Sequence, residues 1–291
     1  MDLLLLVVEK GDETVKKMKW HYLSSGPCRA SFNMALDEAL LEWNSQGEVG
    51  PVLRFYQWEN PTLSIGYFQK IKEEIDLQQV EQLGLSIVRR PTGGRGVLHE
   101  HELTYSVIVS EDYPEMPETV TEAYRVISGG VLEGFRNLGL QAEFSVPERQ
   151  QKATSLTEKS AVCFDTPSWY ELVVEGKKVA GSAQTRQKGV ILQHGAILLS
   201  LEIEKLISLF HFSSERAKER MRKSLPERAV AIDQLTSEKI SVEACIAAFK
   251  QGFEDALGIE LIPYELTEEQ LAEVEAIEKE KYANEAWTFK K

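Results

Sequence analysis

The sequence feature that most constrains the fold is a glycine-rich turn between two strand-like runs. The first run, LSIVRRP, ends at Pro91, and the second, VLHEHELTYSVIVS, begins at Val97 and has nearly alternating apolar residues. Between them lies TGGRG. A phosphate-binding P-loop would carry a lysine and open a helix, whereas this turn is followed by a strand. The pattern therefore predicts strand, turn and strand, and it disfavours nucleotide binding.

The rest of the chain mixes helical and strand-like periodicities, which predicts an α+β fold. The predicted helices cover residues 31–45, 70–83 and 119–138. Further strand-like runs cover residues 51–58, 62–69, 140–145, 161–164, 168–187 and 189–201. Ser31 is the expected N-cap of the first helix. Residues 147–160 are polar and non-periodic, which predicts a mobile loop. From residue 202 onward the pattern is mostly helical, with a strand-like break at 259–263.

Length and charge limit the class of protein. A chain of 291 residues can form one large α/β domain with a small one appended. We predict a catalytic domain over residues 20–250 and a mostly helical C-terminal extension over 251–291. Residues 1–19 are expected to be a non-native or disordered extension, with a short extra strand as an equal alternative. The net charge of −13 disfavours general nucleic-acid binding, and no run is long and apolar enough to span a bilayer.

Cys163 is the main candidate for chemistry because it lies where the polar segment 147–160 meets a strand-like run. Position alone leaves a small buried hydrophobe as the commoner interpretation of a lone cysteine. Lys178 follows the turn at Gly176 and precedes small residues that would let a substrate approach closely. Strand alternation points Lys177 and Lys178 to opposite faces. A buried ammonium beside a thiol would favour the thiolate, and a solvated turn lysine is the alternative.

Three other features are weighed as substrate contacts or metal ligands. The amides of TGGRG could hold a phosphate or a carbonyl oxygen, and a plain hairpin turn is equally compatible. His194 ends a strand before a glycine and could orient a carbonyl, or it could be a structural histidine. His99 and His101 would share one face of a strand, but no third ligand is evident, so no metal is expected. The three cysteines are odd in number and far apart, which favours a reducing cytoplasm.

Three segments, in this order, resemble the signatures of the biotin/lipoate ligase and octanoyltransferase superfamily over residues 20–250. RRPTGGRGVLHE is similar to its arginine, glycine-pair and histidine signature. EGKKVAGSAQTRQ is similar to its catalytic-lysine strand, with Lys178 at the lysine position, and QHGAILL to its His-Gly strand. The resemblance implies a mixed central β-sheet flanked by helices. The candidate substrate-binding residues are Arg90, Gly93, Gly94, Arg95, His99, Gly181, Ser182 and His194.

Within the superfamily, SAVCFDTPSWYELVV is most similar to octanoyltransferases of the LipM type. That resemblance implies that Cys163 carries the acyl group as a thioester and that no cofactor is needed. Octanoyltransferases of the LipB type have a cysteine just before the His-Gly strand, and this chain has none there. ATP-using lipoate ligases usually have a third glycine where this chain has Arg95. Both departures favour the thioester route.

The same resemblance implies octanoyl-acyl carrier protein as donor and the glycine cleavage H protein, or a lipoyl domain, as acceptor. We expect a monomer. The basic run at residues 216–228 is most simply a solvated helix face, and docking of an acidic carrier is the alternative. The loop at 147–160 is expected to move when Cys163 is loaded. Two alternative functions are an ATP-dependent lipoate–protein ligase and an amidotransferase that moves octanoyl between lipoyl domains.

Overall fold

The computed structural model describes residues 17–145 and 170–290. The strands are β1 (Met18–Cys28), β2 (Val52–Trp58), β3 (Thr62–Ile65), β4 (Ser86–Arg89), β5 (Val97–His99), β6 (Glu102–Ser110), β7 (Ala142–Ser145), β8 (Glu171–Val174), β9 (Lys177–Lys178), β10 (Ala180–Gln187), β11 (Val190–Leu198) and β12 (Ile259–Pro263). The α-helices are α1 (Ala30–Gln46), α2 (Ile71–Glu74), α3 (Leu77–Gln82), α4 (Val120–Asn137), α5 (Ile203–Ser208), α6 (Glu215–Arg228), α7 (Val242–Leu257), α8 (Glu268–Ile277) and α9 (Glu285–Thr288). A 3₁₀ turn covers Ile232–Gln234 and a π-helical turn covers Glu278–Tyr282.

A six-stranded mixed sheet forms the centre of the fold. Its strand order is β10-β11-β6-β2-β1-β12, with β1 parallel to both of its neighbours and the other pairs antiparallel. Two three-stranded sheets, β4-β3-β5 and β7-β8-β9, lie beside it. The predicted mixed sheet flanked by helices, within an α+β fold, is therefore confirmed.

Helices cover both faces of the central sheet because each strand alternates its side chains between two apolar layers. On one face α1 packs through Leu36 and Leu40 against a cluster that includes Val52. On the other face α4 and α7 pack against a cluster that includes Phe55, which points to the opposite side of the same strand β2. The aromatic ring of Phe253, on α7, lies 6.2 Å from that of Phe55.

Helices α4 and α7 pack unusually closely, because glycines meet at their contact. A Cβ atom added to Gly252 of α7 would lie 2.6 Å from the carbonyl oxygen of Gly130 and 2.8 Å from the Cα of Gly134, both on α4. A Cβ on Gly134 would in turn lie 2.6 Å from Cγ of Phe249. The two helices can therefore approach only where side chains are missing.

Two predicted local structures are wrong. The helix predicted over residues 70–83 is split into α2 and α3, because Ile75 forms a β-bridge with Phe210 and Asp76 caps α3 through the N–H of Gln79. The first long helix begins at Ala30, and Ser31 is not its N-cap. The Ser31 hydroxyl instead donates to Oε1 of Glu278, at 2.6 Å.

Other predicted elements are confirmed. The helix expected over 119–138 is α4, with Thr119 as its N-cap, and the strand expected at 259–263 is β12. None of the helices within the described residues is long and apolar enough to cross a membrane.

The C-terminal residues are joined to the central sheet. Strand β12 pairs with β1, with Met18 opposite Ile259. The predicted boundary after residue 250 falls inside α7, and the division into domains stays a prediction. Residues 1–16, most of the expected N-terminal extension, lie outside the described residues, as do Cys163 and the loop predicted at 147–160.

Candidate active site

An open cleft lies where the central sheet meets the β4-β3-β5 sheet. Its volume is about 440 Å³, including the open mouth. Six of the residues predicted from the sequence line it: Arg90, Gly94, His99, Gly181, Ser182 and His194. Met34, Val97 and Trp58 supply apolar wall. The three family-like segments thus converge on one cavity.

The Arg90 guanidinium shapes the glycine-rich turn at the edge of this cleft. Its Nη2 donates to the carbonyl oxygens of Gly93 and Arg95, both at 2.8 Å, and its Nη1 donates to the carbonyl of Ser64, at 3.1 Å. Gly94, with φ of 92°, takes up the left-handed conformation that a side chain would disfavour. Four predicted residues, Arg90, Gly93, Gly94 and Arg95, are thereby connected to Ser64, which the sequence did not single out.

Two of the predicted turn residues are not among the cleft-lining residues, Gly93 and Arg95. The Gly93 carbonyl accepts from Arg90, as described above. Arg95 has a buried Nη1 that finds no hydrogen-bond partner within the described parts of the chain. A substrate contact by either residue stays a prediction.

His99 lies between a hydroxyl and a carboxylate. Its Nε2 is 2.8 Å from Oγ of Ser64, and its Nδ1 is 3.3 Å from Oε1 of Glu102. The Trp58 ring stacks on the imidazole, with centroids 4.2 Å apart. Because His99 ends β5 and Glu102 begins β6, His101 falls in the exposed turn between two sheets, and the expectation that both histidines share one face is wrong.

His194 is held by Asp37 and Thr92. Its Nδ1 is 3.1 Å from Oδ2 of Asp37, and its Nε2 is 2.7 Å from Oγ1 of Thr92. Burial lowers the pKa of His194 below its usual value, although the Asp37 carboxylate opposes this. Burial alone would raise the pKa of Asp37, but the Arg54 guanidinium, 2.7 Å from Oδ1, and the His194 hydrogen bond bring that pKa below its usual value. We infer a neutral imidazole that donates to an ionised Asp37.

Asp37 is a residue that sequence reasoning missed. It is fully buried on α1, among the apolar residues whose spacing predicted that helix. An acidic residue on the apolar face of a helix is a signal that could have been used, because a buried carboxylate needs a partner.

Lys178 lies on β9 and is paired with Glu171. Its Nζ donates to Oε1 of Glu171 on β8 at 2.6 Å, and the two residues are only 9% and 8% exposed. Lys177 is more exposed than Lys178, so the predicted alternation is confirmed. The strand that follows contributes Gly181 and Ser182 to the cleft. Cys163 lies outside the described residues, so its distance from Lys178 stays untested.

Ser182 belongs to a buried chain of hydrogen bonds. Tyr105 Oη donates to Ser182 Oγ at 2.8 Å, and Nε2 of Gln193 donates to Tyr105 Oη at 3.0 Å. Gly195, directly opposite Ser182 on β11, has no room for a side chain: a Cβ there would lie 2.8 Å from Cε1 of Tyr105 and closer still to Ser182 Oγ.

The arrangement suits a slender apolar chain that ends in a polar carbonyl. The lining combines apolar side chains with hydroxyl groups, imidazoles and glycine backbone. Among the described residues, no group of three or more His, Cys, Asp or Glu could hold a metal ion. Histidines fixed by carboxylates and a buried lysine are groups that can position and exchange protons in acyl transfer.

The chain is similar to proteins of known family. Residues 29–254 match the lipoyl protein ligase A/B catalytic domain. It is 66% identical to an octanoyltransferase LipM of Lysinibacillus sphaericus, over 94% of this chain and 99% of the relative, and 57% identical to that of Bacillus subtilis, over 95% and 100%. Among solved structures, a bipartite lipoate protein ligase from Thermoplasma acidophilum matches at a TM-score of 0.77 and 25% identity, over 94% of this chain and 96% of the other. A lipoate-protein ligase A bound with ATP matches at a TM-score of 0.73 and 25% identity, over 94% and 98%.

Proposed function

This chain belongs to the lipoyl protein ligase A/B catalytic domain family, and on that premise we propose the following reaction. An octanoyl group moves from octanoyl-acyl carrier protein to Cys163 as a thioester, and then to a lysine of the glycine cleavage H protein. The class of activity is established, because octanoyltransferases that are 55–66% identical over 94% of the chain show that it is an acyltransferase of lipoate biosynthesis.

The choice of Cys163 is supported by the state of the other two cysteines. Burial raises the pKa of Cys28 above its usual value and that of Cys245 to about 11. Cys245 is also fully buried within the core packed around α7. Since the thiolate is the nucleophile, neither thiol is suited to attack a thioester. Cys163, in the segment that resembles the acyl-carrying cysteine of related octanoyltransferases, is the remaining candidate.

The observation that carries the proposal is the buried Lys178–Glu171 pair, whose lysine lies three residues before the cleft-lining Gly181. The Nζ of Lys178 donates to the Glu171 carboxylate at 2.6 Å, and a lysine ammonium stabilises a thiolate that lies near it. Lys178 can then protonate the departing carrier thiolate. In the second step, the amine of the acceptor lysine attacks the acyl-cysteine, its proton passes to the now neutral Lys178 amine, and Cys163 leaves as the thiolate. A thioester is converted to an amide, which is downhill, so ATP is not needed.

The cleft accommodates the acyl tail. The seven carbons beyond the carbonyl, at about 0.8 kcal/mol for each buried methylene, supply roughly 5 kcal/mol of binding. Met34, Tyr56 and Val97 line the cleft and are nearly fully buried, so they offer the tail an apolar surface. Water would be displaced from the reacting carbonyl by the same chain, which protects the acyl-enzyme from hydrolysis.

Helix α6 supports docking of an acidic carrier near the reacting groups. Its end is joined to the strand of the lysine, because the N–H of Val230 donates to the carbonyl of Lys178 at 3.0 Å. Arg216 and Arg220 are exposed on this helix, while Arg222 is paired with Glu204 at 2.8 Å and so is partly neutralised. A local positive surface on a chain of charge −13 would attract an acidic partner to this place.

Intact mass of the protein after incubation with octanoyl-acyl carrier protein tests the proposal. We expect wild type and Cys28→Ser to gain one octanoyl group, and addition of apo H protein to remove it. Cys163→Ala is expected to gain none. If Cys163→Ala turned over normally with free octanoate and ATP, the chain would be an ATP-dependent ligase. If only an octanoylated lipoyl domain loaded Cys163, it would be a relay amidotransferase.

A further inference from the structure

The buried hydrogen-bond chain behind Ser182 has a defined direction. Nε2 of Gln184 donates to Oε1 of Gln193 at 3.0 Å, so the Nε2 of Gln193 faces the other way, toward Tyr105 and Ser128. There that NH₂ group donates to Oη of Tyr105 at 3.0 Å and to Oγ of Ser128 at 3.1 Å. The phenol of Tyr105 has one hydrogen, and it is donated to Ser182 Oγ at 2.8 Å.

The consequence concerns the proton of Ser182. Its oxygen accepts from Tyr105, and no described residue accepts the hydroxyl hydrogen. Ser182 lines the cleft, whereas Tyr105 and Gln193 are fully buried behind it. Among the described residues the hydrogen finds no acceptor, and the cleft is the open side of this hydroxyl. Hydrogen bonds in a chain of one direction polarise one another, which strengthens the last donor.

The surroundings keep this donor in place. Tyr105 packs its ring 5.7 Å from that of Phe253, so the phenol cannot turn away without disrupting the core. Burial raises the pKa of Tyr105 well above its usual value, so it stays protonated. Gly195 lies opposite and leaves the space that the Ser182 hydroxyl occupies.

We propose that the Ser182 hydroxyl is an oxyanion donor for the acyl transfer and that Tyr105 is its positioning residue. The proposal rests on the proposed function. When the Cys163 sulfur bonds to the carbonyl carbon of the donor thioester, the π electron pair of the carbonyl moves to oxygen, where Ser182 donates to it. The pair returns when the bond to the carrier sulfur breaks, and the carrier leaves as a thiolate that takes a proton. When the acceptor amine attacks the acyl-cysteine, the same carbonyl oxygen becomes negatively charged again, and Ser182 donates to it again.

Single-turnover kinetics with octanoyl-acyl carrier protein test this role. Ser182→Ala is expected to lower the rate of Cys163 acylation and kcat by about 100-fold, with little change in KM, because a lost oxyanion donor acts on the transition state. Tyr105→Phe is expected to lower kcat by about 5- to 10-fold, the effect of one lost hydrogen bond. The double variant should be no slower than Ser182→Ala, since Tyr105 acts through Ser182. Thr185→Ala, on the same strand but outside the cleft, is the control and should match wild type.

Two results would overturn the proposal. Independent, multiplicative losses in the double variant would mean that Tyr105 acts only on the fold. A Tyr105→Phe variant as fast as wild type, or faster, would mean that the chain runs in the opposite direction and that Ser182 donates to the phenol. Failure of the proposed function is separate and visible in the same samples, because wild type would then gain no octanoyl group on Cys163.

Discussion

Replacement of Gly252 by alanine should destabilise the protein although alanine is the better helix former. Gly252 lies in the interior of α7, where it faces the backbone of α4. The added Cβ would lie nearest to the amide nitrogen of Gly134, and it would also have to move from 2.6 Å to at least 3.4 Å from the Gly130 carbonyl oxygen, a shift of at least about 0.8 Å. The obstacle is backbone rather than the tip of a flexible side chain, so the helices themselves must separate.

The expected cost follows from two opposing effects. Overpacking a close-packed core typically costs 1–3 kcal/mol, and a rigid backbone obstacle puts this case near the upper end, about 3 kcal/mol. The higher helix propensity of alanine over glycine offsets about 1 kcal/mol of this cost. The net loss in the free energy of unfolding is therefore about 2 kcal/mol, which lowers Tm by roughly 3 °C for a chain of 291 residues.

Gly129→Ala is a matched control on the facing helix. Its added Cβ would meet only Cβ of Ala256, at 3.7 Å, an ordinary contact. The same substitution should therefore stabilise the protein there, by about 0.5–1 kcal/mol. Urea unfolding followed by circular dichroism and by tryptophan fluorescence measures both variants and tests for a single transition. If Gly252→Ala proved as stable as Gly129→Ala, the argument from the glycine contact would be refuted.

Two further predictions concern pH and docking. Burial holds the pKa of His194 below its ordinary 6.5, so His194 stays neutral in the folded state. Its contribution to the free energy of unfolding is therefore present above pH 6.5 and is lost as the pH falls below that value. His194→Gln should therefore lose less unfolding free energy than wild type between about pH 7 and 5.5, measured by urea unfolding; equal losses would contradict this assignment. Reversal of three basic charges on α6, Arg216→Glu, Lys218→Glu and Arg220→Glu, should raise the apparent KM for acyl carrier protein and weaken its salt dependence. An unchanged KM at low salt would contradict docking of the carrier protein on α6.

The sequence predicted the long elements well because their periodicity is strong and local. Helix α4 and strand β12 lie within one residue of the predicted bounds. The split between α2 and α3 was missed because a long-range bridge from Ile75 to Phe210 overrides the helical pattern. Ser31 was misread for a similar reason: its hydroxyl has a partner almost at the other end of the chain, in Glu278.

In the candidate site, too, residues in local motifs could be predicted, whereas partners that are distant in sequence could not. Residues in the glycine-containing motifs could be predicted, because each motif is a continuous stretch of the sequence. Six of these residues line one cleft. Their supporting partners could not be predicted, since Glu171, Glu102 and Asp37 gain their meaning only from strand pairing and helix packing. Each is an acidic residue at a buried position, where it is paired with Lys178, His99 or His194 respectively.

Strand β12 protects one edge of the central sheet. It lies beyond the family match, which ends at residue 254, and it pairs with β1, an 11-residue strand. A shortened protein cut at that point would present the backbone N–H and C=O groups of β1 to other molecules. Such a fragment should self-associate edge to edge, so the C-terminal residues serve solubility as well as shape.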